Sequence, residues 1–218
     1  PGLFHGAYLA GVVDLNDPDN LARVQVRLYN FDDVDGHDGP IWARVAVPFA
    51  GNNRGTFFIP DVGDEVMVVF VNGDPRHPVV VGGLWNGTDT APESISSGRN
   101  IKKVIRSKNG VKITLEDEDG REKFIAETPG GQKIILKDGP GAVTIEDSNG
   151  NSIKLESAGI TITASAKVTI NASQVAVSAG MVTVDAGMSR FSGVVQCDTM
   201  ISNTVISATY TPGAGNIW

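Results

Sequence analysis

The chain has 218 residues and a formal net charge of −7, which argues against a general electrostatic attraction to nucleic acid or to an anionic membrane surface. It contains 26 Gly, 11 Pro and a single Cys, so the sequence excludes an intrachain disulfide framework and favours an all-β chain. No run of about 18 apolar residues is present, so no segment has the pattern of a helix that spans a bilayer.

The first 86 residues have the pattern of a small β-barrel. Turn-forming clusters separate six predicted strands: Ala7–Asp14, Ala22–Tyr29, Trp42–Val47, Thr56–Ile59, Glu65–Val71 and Pro78–Gly82. In the second strand Val24, Val26 and Leu28 alternate with polar residues, which predicts one buried face and one wet face. Short strands in this number favour a Greek-key barrel of the OB type.

Residues 87–100 are small and polar, and we expect them to be a linker. Three similar segments follow at a spacing of about twenty residues, namely Gly110–Leu115, Gly131–Leu136 and Asn151–Leu155. Three dipeptides are typical of hairpin turns: Asp119-Gly120, Asp138-Gly139 and Asn149-Gly150. A repeat at this spacing in a β-chain predicts stacked units that complete a core only with their neighbours.

The last third of the chain alternates with period two. Apolar side chains occupy every second position over one stretch: Ile160, Ile162, Ala164, Ala166, Val168, Ile170 and Ala172. This pattern predicts strands with one apolar face and one Ser/Thr face. Since no helix or second sheet follows to cover the apolar face, we expect several copies to build a needle.

The barrel carries a recognisable set of motifs. They are Asp61-Val62-Gly63-Asp64-Glu65-Val66, the stretch Gly73–Gly82, the stretch Leu84–Gly87, Asp17-Pro18 before Ala22–Val26, and Trp42–Ala46 followed by Gly55–Pro60. Over roughly residues 9–87 these motifs resemble the OB-fold domain of phage baseplate assembly protein V. That domain is shared with the VgrG spikes of type VI secretion and with extracellular contractile injection systems. One departure is Ala22, where the family usually has Gly.

The resemblance implies the architecture of the whole chain, because in the family a three-chain β-helix follows the barrel. The expected fold is all-β, with an OB-fold barrel (1–86), a linker (87–100), an intertwined triple-stranded β-helix (101–211) and an apical tip (212–218). The expected assembly is a homotrimer in which Val, Ile, Leu and Ala side chains point inward and polar side chains point outward.

The resemblance also implies a function. We expect the structural central spike of a contractile tail or injection machine, which forms the puncturing needle under the tube and organises the baseplate. Expected partners are hub and tube proteins at the barrel end, transient contact with the target envelope, and no nucleic acid. We expect assembly in the bacterial cytoplasm, or in the host cytoplasm for a phage, and a place in a phage tail, tailocin or injection-system particle. The first residues, from Pro1 to His5, lack a signal-peptide pattern.

Two other functions compete with the spike. A trimeric β-helical tailspike that binds or depolymerises glycans needs aromatic and carboxylate residues clustered on an outer face. An OB module that binds single-stranded nucleic acid needs a basic groove with stacking aromatics, whereas this chain is acidic. The sequence offers neither a defensible catalytic constellation nor a cofactor motif, so we expect no enzyme, no cofactor and no metal.

Two sets of residues are candidate contacts. At the tip, the candidate contacts for a small cap protein of the PAAR type are Tyr210, Pro212, Ile217 and Trp218. The alternative is that Ile217 and Trp218 fold back to plug their own core. On the barrel, four arginines are candidate contacts for neighbouring baseplate proteins: Arg23, Arg27, Arg44 and Arg54. The histidines His5, His37 and His77 lie in or before the barrel, so the His-x-His iron motif of some phage relatives is missing near the tip. The acidic stretch Glu116–Asp119 is interpreted as a solvated face that runs into a turn.

Overall fold

The computed structural model describes residues 3–31, 39–139 and 142–209. All the regular structure in these ranges is β-strand, apart from two single 3-10 turns at Tyr29–Phe31 and Val71–Gly73. The chain divides into two units at Val168/Thr169. Within the described ranges no helix has the length and hydropathy needed to cross a membrane.

Five strands of the N-terminal region close into a barrel, as predicted. They are β1 (Ala7–Asp14), β2 (Val24–Leu28), β3 (Ile41–Val45), β6 (Glu65–Phe70) and β7 (Pro78–Leu84). Their order around the barrel is β1-β2-β3-β7-β6. Strands β3 and β7 run parallel, with Arg44 opposite Val79, and the other neighbours are antiparallel.

The barrel interior holds the hydrophobic core of the described residues. Strand β6 shows why: Val66, Val68 and Phe70 are buried while the residues between them are partly exposed, as period-two alternation requires. The buried apolar residues are Ala10, Val12, Val24, Val26, Ala43, Val66, Val68, Phe70 and Val80. At one end Phe4 packs on Phe70 with ring centroids 4.8 Å apart, which closes the barrel with aromatic rings.

One predicted strand, Thr56–Ile59, is wrong. The chain instead forms a short hairpin of β4 (Ala50–Gly51) and β5 (Arg54–Gly55), and residues 56–60 that follow it are irregular. The amide of Thr56 donates a hydrogen bond to the Phe49 carbonyl at 3.2 Å, which ends the hairpin pairing. The apolar residues that suggested a strand therefore lie outside the barrel sheet.

After the linker, the chain folds into one antiparallel sheet of seven strands in sequence order. The strands are β8 (Lys102–Arg106), β9 (Lys112–Glu116), β10 (Lys123–Glu127), β11 (Lys133–Lys137), β12 (Val143–Glu146), β13 (Ser152–Glu156) and β14 (Gly159–Thr163). The three repeated segments of the sequence contain all but the last residue of β9, β11 and β13. Each repeat is therefore the second strand of a hairpin, and the predicted Asp-Gly and Asn-Gly pairs lie in turns with Gly at positive φ.

Three turns at the same end of the strands of this sheet have the same conformation. We call them the stacked turns; they are residues 107–111, 128–132 and 147–151. In each, the fourth residue is a Gly with φ between 85° and 91°, and the first residue's amide donates to the carbonyl of the fifth. In two of them the first side chain also accepts the amide of the fifth residue, at 3.0 Å for Ser107 and 2.9 Å for Asp147. Equal turns keep all the hairpins in one register.

Residues 164–209 contain no strand in the single copy that the structure describes. A strand is defined by hydrogen bonds to a neighbouring strand, and this segment has no neighbour of its own chain to pair with. The alternation that begins at Ile160 reaches a regular strand only in β14. The intertwined β-helix expected for residues 101–211 stays a prediction that requires other copies, as do the domain boundaries.

Candidate assembly surfaces

The seven-stranded sheet has one face that is almost wholly apolar. Directly opposed residues of an antiparallel ladder lie on the same face, and the strand registers therefore define two rows across all seven strands. The first row is Lys103, Leu115, Phe124, Leu136, Val143, Leu155 and Ile160. The second row is Ile105, Ile113, Ala126, Ile134, Ile145, Ile153 and Ile162. We call these fourteen positions the apolar face.

In one copy this face is open to solvent. Ten of its large side chains are exposed by amounts from 37% at Leu155 to 70% at Ile160. A groove of about 780 Å³ runs along the second row, bordered by the stacked turns and by Ala164 and Val168. A patch of this size on a soluble protein marks a surface that another molecule covers.

The opposite face is charged and paired. Along its outer rows Lys123 lies 3.2 Å from Glu116, and Lys112 lies 3.2 Å from Glu93 and 4.0 Å from Glu127. The ammonium groups hold the pKa of Glu93 below its usual value, chiefly through the hydrogen bond from Lys112. Such a face is compatible with water. We therefore expect the charged face to lie on the outside of the assembly and the apolar face to be covered, in keeping with the expected inward apolar and outward polar side chains.

The one charged position of the apolar face lies at its barrel end. Lys103 forms an ion pair with Asp117 and donates to the Asn100 carbonyl at 2.9 Å. Its charge is therefore compensated within the copy. Glu116 ends β9 and Asp119-Gly120 lies in the following turn, in agreement with the predicted acidic stretch.

The four candidate arginines of the barrel do not form one equivalent set. Arg23 is held inside a loop: its guanidinium lies 2.6 Å from Asp17 and 2.5 Å from Asp19, and its carbon lies 5.8 Å from the Trp42 ring centroid. That guanidinium keeps the pKa of Asp17 well below its usual value. Asp17 also accepts amides of its own loop, including that of Leu21 at 2.8 Å. Arg23 thus shapes the loop, which is a turn as predicted.

The other three arginines are exposed. Arg27 and Arg44 lie on the outer side of β2 and β3, because the residues next to them, Val26 and Ala43, are buried. Arg54 lies apart, in the β4–β5 hairpin. A contact with baseplate proteins through these side chains stays a prediction.

An ion pair joins the barrel to the sheet, and two more join the linker to the sheet. Lys108 of the first stacked turn lies 3.6 Å from Asp61, just before β6. In the linker, Glu93 reaches Lys112 and lies 3.7 Å from Lys102. Charge in a polar linker normally indicates solvation only, so no local pattern singled out Glu93.

Several predicted positions fall outside the described residues, namely Tyr210, Pro212, Ile217 and Trp218 of the tip, and His37. In the ranges that are described, no group of three or more His, Cys, Asp or Glu residues is arranged to hold a metal ion. Reasoning from sequence missed the exposure of Phe57 and Phe58, because these residues were interpreted as part of a strand.

Two family models match the chain. The first, described as the type VI secretion system/phage-baseplate injector OB domain, matches residues 8–85, which contain the barrel. The second, described as the phage baseplate V C-terminal trimerisation domain, matches residues 123–188. The second match covers β10 to β14 and assigns trimerisation to the segment that carries most of the apolar face, in agreement with the expected homotrimer.

Curated relatives agree with these matches. The type VI secretion system spike protein VgrG3 of Vibrio cholerae is 33% identical over 113 residues, which are 49% of this chain and 11% of that protein. VgrG1c of Pseudomonas aeruginosa, also named a type VI secretion system spike protein, is 30% identical over 127 residues, or 55% of this chain and 18% of that protein. The actin cross-linking toxin VgrG1 of Vibrio cholerae is 33% identical over 88 residues, only 8% of that protein.

The chain therefore spans less than a fifth of the length of these relatives. Within that span it has the barrel that the first family describes, and β-strands with an open apolar face where the second family places trimerisation. On the fold, the two family matches and the relatives together, the chain is a VgrG-like baseplate or spike protein.

Proposed function

We propose that this chain is the structural central spike of a contractile tail or injection machine, assembled as a homotrimer. The observation that carries the proposal is the apolar face, whose two rows cross seven strands and lie open in one copy. It coincides with the segment that matches a trimerisation domain. Three copies that turn these faces toward a common axis would bury them together.

The energetics favour such an assembly over a monomer. Apolar surface removed from water contributes roughly 25 cal/mol per Å², and the face presents ten large side chains that are more than a third exposed. They are Ile105, Leu115, Phe124, Ile134, Leu136, Ile145, Ile153, Leu155, Ile160 and Ile162. The charged face would remain on the outside, where its ion pairs stay solvated.

In the same arrangement residues 164–209 would gain the neighbouring strands that they lack in one copy. A strand of this segment would pair its free N–H and C=O groups with the other two chains, which removes unpaired edges. The result is a needle in which bending requires many hydrogen bonds to break together. We place the puncturing role in this distal part and the baseplate role in the barrels, which would contact hub and tube proteins.

The finer parts of the function rest on the relatives rather than on geometry. By analogy with the VgrG spike proteins we propose a PAAR-type cap at the tip residues Tyr210, Pro212, Ile217 and Trp218 and transient contact with a target envelope. We also propose assembly in the bacterial cytoplasm as part of a tail-like or secretion particle. We propose a structural rather than an enzymatic role, in keeping with the relatives that are named spike proteins.

The test is the solution mass of the full chain and of two matched variants. Three times the chain mass of 22.9 kDa gives about 69 kDa, which is the mass expected by light scattering. Ile145 lies on the apolar face opposite Ile134 and Ile153, whereas its neighbour Thr144 lies on the other face opposite Ile135. Ile145→Asp should abolish the trimer, and Thr144→Asp should preserve it.

Each outcome has a definite meaning. A wild-type monomer that is well folded would overturn the trimeric spike. A wild-type trimer that both aspartate variants preserve would show that the apolar face is not the assembly surface. Electron microscopy of the trimer should show a globular head and a straight needle, and a compact particle would contradict the puncturing role.

A further inference from the structure

The seven-stranded sheet ends in two edge strands that differ in charge. At the barrel end, β8 carries Lys102, Lys103 and Arg106, and charged side chains of this kind keep an edge strand from pairing further. At the other end, β14 has no charged residue and all five of its residues are exposed. Among the described residues β14 pairs only with β13. Its outer N–H and C=O groups, which we call the distal edge, can therefore accept another strand.

The chain after β14 repeats the sequence pattern of β14. The pattern is an apolar residue, any residue, a second apolar residue, any residue and Ala. Four such repeat units begin at Ile160, Val168, Val175 and Val182, so the period is eight residues once and seven residues twice. Each unit has the length of a short strand, and the residues between units suffice for a corner. The later units suit the distal edge because they present the same apolar and polar faces as β14.

The chain leaves β14 at the column of stacked turns. The Ser165 amide donates to the Asn151 Oδ1 at 2.9 Å, and the Ser165 hydroxyl donates to the same oxygen at 3.3 Å. A Cβ on Gly150 would lie 4.0 Å from the Ser165 Cβ. In the first two stacked turns, the residue that faces the glycine in this way is the second residue of the next turn. Ser165 therefore occupies the second position of a fourth turn, residues 164–168.

This fourth turn lacks the glycine that lets the chain fold back in the other three. In each stacked turn the fourth position is a Gly with φ between 85° and 91°, and here the fourth position is Lys167. Such a φ is strained for a residue with a side chain, and Lys167 is not among the described residues that have it. The residues that follow form no strand on their own sheet. The distal edge is therefore left open by the chain to which it belongs.

We infer that the distal edge of each copy pairs with residues 168–172 of a neighbouring copy. This inference rests on the proposed trimeric spike and locates the point where pairing within one chain gives way to pairing between chains. Residues 102–163 form their ladder within one copy, so the exchange begins only after Lys167. The interface is continuous, since Ile160 and Ile162 belong to the apolar face and Val168 borders the groove along it.

Three-fold symmetry sets the direction of the incoming strand. β14 runs toward the stacked turns, and in a ring of three sheets that end of one sheet adjoins the opposite end of the next. A chain that continues around the axis therefore crosses the neighbouring sheet parallel to its β14. With apolar side chains inward, Val168 lies beside Ile160 of the neighbouring copy. In the same register Thr169 lies beside Thr161 of that copy.

The test is disulfide formation in the full chain. Cys197→Ser removes the exposed native thiol. Thr161→Cys together with Thr169→Cys then probes the inferred register, because opposed residues of paired strands lie about 4.8 Å apart, within reach of a disulfide. Oxidation should convert the trimer into a covalent trimer on non-reducing denaturing gels, since each copy becomes linked to the next.

Two further pairs are the controls. Thr161→Cys with Asn171→Cys probes the alternative, because a fold-back at residues 164–168 would place Asn171 beside Thr161 of its own chain. Thr161→Cys with Thr183→Cys probes random contact. In the inferred needle a chain returns above its own sheet after three repeat units, so these two positions would be about 14 Å apart. Both control variants should keep free thiols.

The outcomes separate this inference from the proposed function. A trimer in light scattering whose Thr161/Thr169 variant gives no covalent trimer would overturn the inference and leave the spike standing. A linked single chain from the Thr161/Asn171 pair would show a fold-back and overturn it as well. Equal yields from the Thr183 control would report collision and count against it. A wild-type monomer would overturn both.

Hydrogen–deuterium exchange of the wild-type trimer is a second measurement that needs no cysteine. Every amide of β14 should be protected in the trimer, including those that point away from β13. In the unassembled Ile145→Asp chain only the amides that point toward β13 should be protected. Fast exchange of the outer β14 amides in the wild-type trimer would overturn the inference.

Discussion

Gly110 lies against Pro129, the second residue of the next stacked turn: a Cβ on Gly110 would lie 3.1 Å from the Pro129 Cγ. The relation repeats, because a Cβ on Gly131 would lie 3.2 Å from the Ser148 Cβ. Each turn therefore packs on the following one at a glycine. The spacing of about twenty residues that is visible in the sequence is the spacing of this column.

Gly110→Ala should destabilise the sheet through two effects. The residue has φ of +91°, a conformation that costs roughly 1–3 kcal/mol for a side-chain-bearing residue, and the new methyl group would press on Pro129. Gly120→Ala is the matched control, since Gly120 has φ of +70° but nothing lies within 4 Å of the place that its Cβ would take. Thermal unfolding should show a larger loss for Gly110→Ala. Equal losses would contradict packing between the turns.

Asp147 should make the third stacked turn sensitive to acid. Hydrogen bonds from Asn151, first from its side chain at 2.8 Å and then from its amide at 2.9 Å, lower the pKa of Asp147 to about 2. In an unfolded chain the pKa of Asp is about 3.9. The stabilisation is therefore complete above that value and is lost as the pH falls toward 2.

The comparison for this prediction is Asp147→Ser. Serine occupies the same place in the first stacked turn, where Ser107 accepts the Val111 amide at 3.0 Å, so the turn bond should survive without a titrating group. Thermal midpoints measured between pH 2 and pH 6 should converge for wild type and variant as the pH falls. Parallel curves would show that Asp147 does not contribute the acid sensitivity.

Arg23→Ala should lower the stability of the barrel, whereas Arg27→Ala should not. Arg23→Ala removes the ion pairs to Asp17 and Asp19 and leaves the Asp17 side chain, which is 5% exposed, without its main partner. The barrel should unfold at a lower denaturant concentration, followed by tryptophan fluorescence. Arg27→Ala should leave that midpoint unchanged, because Arg27 is exposed. The reverse order would contradict a structural role for Arg23.

The barrel strands could be predicted from the sequence wherever alternation was clear. The observed β2 (Val24–Leu28) lies inside the predicted strand Ala22–Tyr29, because Val24, Val26 and Leu28 alternate with polar residues. The same reasoning failed at Thr56–Ile59, where a continuous apolar run carries no periodicity and so does not distinguish a strand from an exposed patch. Whether such a run is a buried strand or an exposed segment depends on the tertiary structure, which the local sequence does not reveal.

The apolar face was only partly predictable. The repeats located β9, β11 and β13, since similar segments adopt similar structure. The pairing of Ile145 with Ile153 depends on register, which the length of the stacked turn between β12 and β13 sets rather than either strand alone. Contacts between distant segments, such as Lys108 with Asp61, had no sequence signal because neither residue type is specific to such a pair.

The distal segment offers the sharpest test of the needle. In one copy residues 166–209 have no strand to pair with, so their amides should exchange with solvent as fast as those of an unstructured chain. In a three-chain needle the amides of residues 164–186 would be hydrogen-bonded and would exchange only through opening. Protection on the order of a thousandfold, or about 4 kcal/mol, is expected for such amides. The measurement is hydrogen–deuterium exchange of the wild-type trimer, with the Ile145→Asp chain as the unassembled control. Fast exchange in both proteins would show that the segment with alternating apolar residues forms no β-structure. The seven-stranded sheet would then be the only part that assembles the trimer.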